Sequence, residues 1–176
     1  MKRNNFIIVL AIILTTVTSY AQNRKADKGN EKKNQPKNII LLIGDGMGLS
    51  QMYAAYTATR DNLNMTRCPN IALVKTFSDN DYITDSAAAG TAIATGHKTN
   101  NGMIGMLPDK TKVPSILKYA EDFGLATGLV ATSAITHATP ASFIACVEGR
   151  NMTEEIARQF LITDIDVFIG GGYDNF

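Results

Sequence analysis

Short apolar runs alternate with helix-like segments along most of the chain, and this alternation most constrains its fold. We predict buried strands at residues 38–43, 125–132 and 166–169. We predict helices at residues 86–95, 114–123, 139–147 and 151–161, the last opened by a capping box of Asn151 and Glu154. Strands separated by helices indicate an α/β fold with a mostly parallel central sheet flanked by helices.

The amino terminus has the pattern of a secretory signal peptide. Lys2 and Arg3 precede an apolar run at residues 6–14, and a polar stretch leads to a cleavage site after Ala21. Threonines and a serine interrupt the run too early for a stable membrane anchor. We therefore predict a signal peptide at residues 1–21 and an exported protein, periplasmic or extracellular.

Residues 22–37 are almost wholly polar, with six basic residues against two acidic ones, which predicts a solvated linker before a globular domain at residues 38–176. Without Lys2 and Arg3 the chain keeps 15 basic against 16 acidic residues, a balance that does not favour nucleic acid binding. Export would allow Cys68 and Cys146 to pair, but two cysteines leave the pairing open. Because the chain stops just after its third predicted strand, we expect an incomplete sheet.

Two segments combine turn or cap chemistry with reactive groups. Asp45 lies in a Gly-Asp-Gly turn just after the first predicted strand, where it is either an ordinary turn residue or a ligand. Ser86 follows Asp85 at the start of an Ala-rich helix, where free N–H groups favour a phosphoryl group. An N-cap alone would also explain that pair.

A serine nucleophile needs a base or a metal to activate it. The two histidines, His97 and His137, fit no Ser-His-Asp pattern, and the chain has no Gly-x-Ser-x-Gly elbow. The Gly-His-Lys-Thr sequence at residues 96–99 does not match a P-loop, because no lysine follows the glycine directly. These patterns favour activation by metal.

A third segment contains further candidate ligands. His137 and Thr139 place a nitrogen and an oxygen two residues apart, and Arg150 offers a planar fork for two phosphate oxygens. A structural histidine, a helix cap and a solvated arginine are the plain alternatives.

Taken together, residues 39–48, 85–99 and 137–150 resemble, in order and spacing, the amino-terminal motifs of the alkaline phosphatases. The resemblance implies metal-dependent hydrolysis of small phosphate monoesters through a phosphoserine at Ser86. It also implies two Zn²⁺ and one Mg²⁺, and it leaves a homodimer open for a full-length form. The implied metal ligands are Asp45, Ser86, His137 and Thr139.

The resemblance implies that Ser86 and Arg150 are catalytic and that Asp85, Ser86 and Arg150 bind substrate. His137 stands where members of the family have Asp or His, so the third metal is left open. The family's remaining ligands lie in a carboxy-terminal half absent from this chain, so we expect the chain alone to turn over little. Two alternatives stay open: a phosphodiesterase or phosphonate hydrolase of the same superfamily, and a non-catalytic exported protein that binds phosphate or metal.

Overall fold

The computed structural model describes residues 37–60 and 62–176. The chain divides into two units, residues 1–43 and 44–176. The predicted signal peptide and all but the last residue of the predicted linker lie outside the described residues. Among the helices that are described, none is long and apolar enough to cross a membrane.

The second unit is an α/β arrangement around one parallel strand pair, which agrees with the predicted fold class. Its α-helices are α1 (Leu49–Ala58), α2 (Ser86–Thr95), α3 (Ile116–Asp122), α4 (Ala138–Ala141) and α5 (Thr153–Ile162). Its strands are β1 (Gly128–Ala134) and β2 (Val167–Gly171), and 3₁₀ turns cover Asn64–Arg67 and Tyr173–Asn175.

The strands β1 and β2 pair in parallel, with Gly128 opposite Val167 and Val130 opposite Ile169. The chain between them runs through α4 and α5, the crossover that a parallel pair requires. The main core cluster includes Phe160, Ile156 and Ile135. This core fixes the ends of β1 and α4, where the candidate site lies.

Two helices follow from local signals in the sequence. The helix α2 begins after its cap at Asp85 and ends at Gly96, whose φ of 77° is left-handed. After α3, the N–H groups of Gly124 and Leu125 donate to the carbonyls of Glu121 and Ala120 at 2.8 and 3.0 Å, a Schellman motif. Since Leu125 belongs to that motif, β1 begins at Gly128 and not at 125 as predicted.

The buried strand predicted at residues 38–43 is wrong for this structure. Residues 38–43 form no strand in the described part of the chain, and Leu42 is 88% exposed. An apolar run becomes a buried strand only where a neighbouring strand accepts its backbone hydrogen bonds. The sequence pattern shows the run but not that neighbour.

Two helix predictions also need correction. Helix α4 ends at Ala141, and not at 147, because Val147 exchanges two backbone hydrogen bonds of 3.0 Å with Ile104. Helix α5 is capped at Met152 without a side-chain bond, so the capping box of Asn151 and Glu154 is absent. Tertiary pairing and a turn at Gly149, whose carbonyl accepts from Met152 N–H at 3.0 Å, outweigh these local signals.

Candidate active site

Ser86 opens helix α2 and is half-buried. The preceding residue, Asp85, is the N-cap, and its Oδ1 accepts a 2.9 Å hydrogen bond from the N–H of Ala88. The serine hydroxyl therefore lies at the positive end of a ten-residue helix. This position favours an approaching phosphoryl group.

Asp45 brings two hydroxyl groups together. Its Oδ1 accepts from Ser86 Oγ at 3.1 Å, and its Oδ2 accepts from Thr139 Oγ1 at 2.7 Å. The turn that carries Asp45 closes with a 3.1 Å bond from the N–H of Met47 to the carbonyl of Gly44. The structure thus joins three predicted site residues from three separate segments.

The pKa of Asp45 is lowered from its ordinary value. The hydrogen bond from Thr139 is the main cause; burial opposes it, and the bond from Ser86 and the charges of His137 and Arg150 act in the same direction as Thr139. The carboxylate is therefore anionic at neutral pH. An exposed carboxylate of this kind attracts a cation.

Arg150 lies between two other predicted site residues. Its Nη1 donates to Asp85 Oδ2 at 3.1 Å, and its Nη2 lies 3.1 Å from His137 Nε2. A guanidinium only donates hydrogen bonds, so the His137 tautomer with no hydrogen on Nε2 is the one that can accept from it. The side chains of Arg150 and Asp85 are 28% and 25% exposed, which leaves the fork open to a ligand.

Asp85 supports both the helix and the arginine. Burial acts to raise its pKa, but hydrogen bonds from the N–H groups of Ala88 and Gly102 and from Arg150 outweigh it, and the pKa is lowered. One anionic side chain therefore caps α2 and orients the guanidinium.

Three neighbours of the site were missed by the sequence analysis. Asn101 and Gly102 contact Asp85 at 3.0 and 3.1 Å, and Gly90 lies where α2 approaches Thr139. The Asn-Gly pair is a turn signal that could have suggested the first two. His97 is exposed and contacts none of these site residues among the described part of the chain.

The donor set fits part of a divalent-cation site. Asp45 gives a carboxylate, Ser86 and Thr139 give hydroxyl oxygens, and the His137 ring lies close enough to lower the pKa of Asp45. Oxygen-rich sets of this kind suit Mg²⁺. Within residues 37–60 and 62–176, however, no group of three or more His, Cys, Asp and Glu could hold a metal ion, so these residues do not complete a zinc site of three or four ligands.

Cys146 and Cys68 are both free thiols in this structure. Burial raises the pKa of Cys146, while Cys68 is exposed. The helix predicted at residues 139–147 would have contained Cys146. In the structure this helix, α4, ends at Ala141, so Cys146 lies outside it.

Comparison with known proteins gives one family. The model of the family "Alkaline phosphatase" matches residues 36–176. Alkaline phosphatase 4 of Bacillus subtilis (strain 168) is 40% identical over 171 residues, which cover 88% of this chain and 37% of the relative. Alkaline phosphatase of Escherichia coli (strain K12) is 39% identical over 169 residues, 80% of this chain and 36% of that protein.

Solved structures agree with this match. Alkaline phosphatase from the Antarctic bacterium TAB5 superposes with a TM-score of 0.79 at 47% identity, over 81% of this chain and 42% of that one. A histidine-to-aspartate mutant of the TAB5 enzyme, with Mg bound in its M3 site, superposes with a TM-score of 0.78 at 47% identity, over 80% of this chain and 41% of that one.

The fold and site are those of an α/β protein with a serine at the start of a helix and a carboxylate beside it. The chain belongs to the alkaline phosphatase family. The resemblance noted in the sequence is thereby confirmed, as is the α/β fold class. The chain spans roughly two fifths of the length of the relatives it matches, from 36% to 42%.

Proposed function

We propose that the protein hydrolyses phosphate monoesters in a metal-dependent reaction that passes through a phosphoserine at Ser86. The observation that carries the proposal is the 3.1 Å hydrogen bond from Ser86 Oγ to Asp45, at the start of α2 and in a chain of the alkaline phosphatase family. The Mg bound in the TAB5 mutant structure supports the metal dependence.

Different residues of the chain have different roles in the proposed phosphoryl transfer. Ser86 Oγ attacks phosphorus and loses its proton to solvent, the bond from phosphorus to the leaving oxygen breaks with the electron pair going to that oxygen, and the oxygen takes a proton from water to leave as the alcohol. The hydroxyl proton points to Asp45 Oδ1. The Arg150 fork, held by Asp85, is suited to two of the phosphoryl oxygens. Water then cleaves the phosphoserine and releases inorganic phosphate.

Asp45, Thr139, Ser86 and His137 would supply ligands to divalent cations in this site. A bound cation supplies charge that lowers the pKa of a hydroxyl and stabilises the developing negative charge. An imidazole base at Ser86 is less favoured, since His137 Nε2 contacts Arg150 and not the serine. The described residues alone do not complete the metal sites, so we expect the 176-residue chain by itself to turn over little.

The test uses the protein expressed from its full reading frame and supplied with Zn²⁺ and Mg²⁺. An aryl phosphate monoester, the matching diester and an aryl phosphonate are compared, and acid-quenched samples are searched for one added phosphoryl group by mass spectrometry. We expect monoester turnover and a modified Ser86 peptide. Ser86→Ala should lower kcat by about a thousandfold or more, whereas the control Ser133→Ala should not.

The outcomes separate the candidate functions. Preference for the diester or phosphonate would assign the protein to another branch of the superfamily. Phosphate or metal binding without turnover would support a non-catalytic role. Covalent phosphate that persists in Ser86→Ala would refute the proposed nucleophile.

We also propose that the protein is exported. The support is the charged start, apolar run and small residues of its first 21 positions. Amino-terminal sequencing of protein from the periplasm or medium should begin at Gln22. Retention in the cytoplasm with Met1 or Lys2 at the terminus would contradict this.

A further inference from the structure

The turn at Asn101 and Gly102 contacts both members of the Asp85–Arg150 pair. Its contacts with Asp85 join positions 16 and 17 residues apart, and its contact with Arg150 joins positions 48 apart. No pattern of local secondary structure requires these contacts. They make the turn a candidate for controlling where the arginine points.

The side chain of Asn101 holds the segment that leads into α2. Its Oδ1 accepts from the N–H of Asp85 at 3.0 Å, and its Nδ2 donates to the carbonyl of Ile83 at 2.9 Å. Its own N–H donates to Asn80 Oδ1 at 2.8 Å. The amide therefore bonds the chain on both sides of residue 84 and fixes the backbone of Asp85.

Gly102 holds the carboxylate and the arginine with its backbone. Its N–H donates to Asp85 Oδ2 at 3.1 Å, the same oxygen that accepts from Arg150 Nη1 at 3.1 Å. Its carbonyl accepts from the N–H of Arg150 at 2.8 Å. A φ of 87° at Gly102 is what turns both groups toward the pair, and this left-handed conformation favours glycine.

From these contacts we infer that Asn101 and Gly102 are positioning residues for Arg150, acting through Asp85. This inference rests on the proposed function, in which Arg150 binds phosphoryl oxygens. A guanidinium fork binds two oxygens only in the correct plane, so an error in its orientation weakens phosphate binding. The turn sets that orientation at the backbone and at the side chain of the arginine.

The test measures the affinity for inorganic phosphate. Phosphate is added as a competitive inhibitor of monoester hydrolysis by the protein from its full reading frame, and its inhibition constant is determined. Asn101→Ala removes both side-chain hydrogen bonds and should weaken phosphate binding about fivefold, the effect of about one net hydrogen bond. KM for a monoester should rise with it more than kcat falls. The matched control is Asn100→Ala, since Asn100 directly precedes Asn101 and its side chain makes no hydrogen bond to the described residues.

A double-mutant cycle separates positioning from general support of the fold. With Arg150→Ala already present, Asn101→Ala should change phosphate affinity by less than about twofold, because the group it positions is gone. An effect of the same size in both backgrounds, or none in either, would overturn the inference. Melting temperatures measured in parallel show whether each variant is folded.

Gly102→Ala is the second variant, and it serves if Asn101→Ala does not fold. It keeps both backbone hydrogen-bonding groups, and a Cβ there meets no atom within 4 Å, so its effect is confined to the strained φ. It should also weaken phosphate binding only when Arg150 is present. If Arg150→Ala itself leaves phosphate affinity unchanged, the proposed role of the arginine is refuted, and the inference is refuted with it. If Arg150→Ala weakens phosphate binding but Asn101→Ala and Gly102→Ala do not, only the inference is refuted and the proposed function stands.

Discussion

Gly90 lies where helix α2 approaches helix α4, and an alanine there tests how close that approach must be. A Cβ at position 90 would lie 2.7 Å from Ser142 Oγ, 3.2 Å from Ser142 Cβ and 3.4 Å from Thr139 Cα. The first distance is too short for any real contact. Since Ser86 is on α2 and Thr139 is on α4, relief of the contact by moving the helices would also disturb the two hydroxyl groups at Asp45.

The expected loss of stability follows from three opposing terms. An alanine in place of glycine inside a helix gains about 1 kcal/mol. Overpacking costs about 1–3 kcal/mol, and rotation of Ser142 Oγ away would break its buried 2.7 Å bond to the carbonyl of Ala138, at about 1 kcal/mol more. Gly90→Ala should therefore lower the free energy of unfolding by about 1–3 kcal/mol and lower kcat.

Urea unfolding of a double-mutant cycle with Ser142→Ala measures this directly. Ser142→Ala removes the nearest atom, so adding Gly90→Ala to it should cost about 1–2 kcal/mol less than in the parent protein, and kcat should recover in part. Gly149→Ala is the control, because a Cβ there would only meet Met152 Cγ at an ordinary 3.9 Å. If Gly90→Ala stabilised the protein by about 1 kcal/mol in both backgrounds, as in an open helix, the close-packing argument would be refuted.

Three further predictions follow from single groups. Asp85→Ala should lower the free energy of unfolding by about 1–2 kcal/mol because two backbone N–H groups lose their acceptor, and Asp85→Asn should cost less; urea unfolding checks both. Iodoacetamide at mildly alkaline pH should modify Cys68 well before Cys146, whose pKa is raised by burial; equal rates by mass spectrometry would contradict this. Hydrogen bonds from Arg158 lower the pKa of Glu155 from 4.5 to about 2, so its stabilising effect is present above pH 4.5 and is lost as pH falls toward 2; Arg158→Gln should return the pKa toward 4.5 in a carboxyl NMR titration.

The sequence predicted those elements whose signals are local. Helix α2 begins and ends at the predicted residues because a capping aspartate and a left-handed glycine bound it. The parallel pairing of β1 and β2 was also predicted correctly, since helices separate the two apolar runs. Each of these signals is contained in a few neighbouring residues.

The errors occurred where distant residues decide the structure. Val147 leaves the predicted helix because it pairs with Ile104, 43 positions earlier in the chain. The run at 38–43 was predicted as a buried strand on its apolar character alone, and its outcome depends on a neighbouring strand that the run does not specify. A pattern read along the chain contains no information on such pairings.

The candidate site shows the same division between chemistry and geometry. Asp45, Ser86, Thr139 and Arg150 could be named from their residue types and motif spacing, and the structure brings them together. Asn101 could not, because its amide acts only through backbone groups that folding brings near it.

Asp85 accepts hydrogen bonds from a helix, a turn and an arginine with one carboxylate, so a change at Asp85 alters helix stability and arginine orientation together. A loss of activity in Asp85→Ala would therefore not show which of the two had failed. Asn101 bonds the backbone of Asp85 and leaves the carboxylate of Asp85 in place. Its substitution is for this reason the cleaner measure of how strongly phosphate binding depends on the orientation of Arg150.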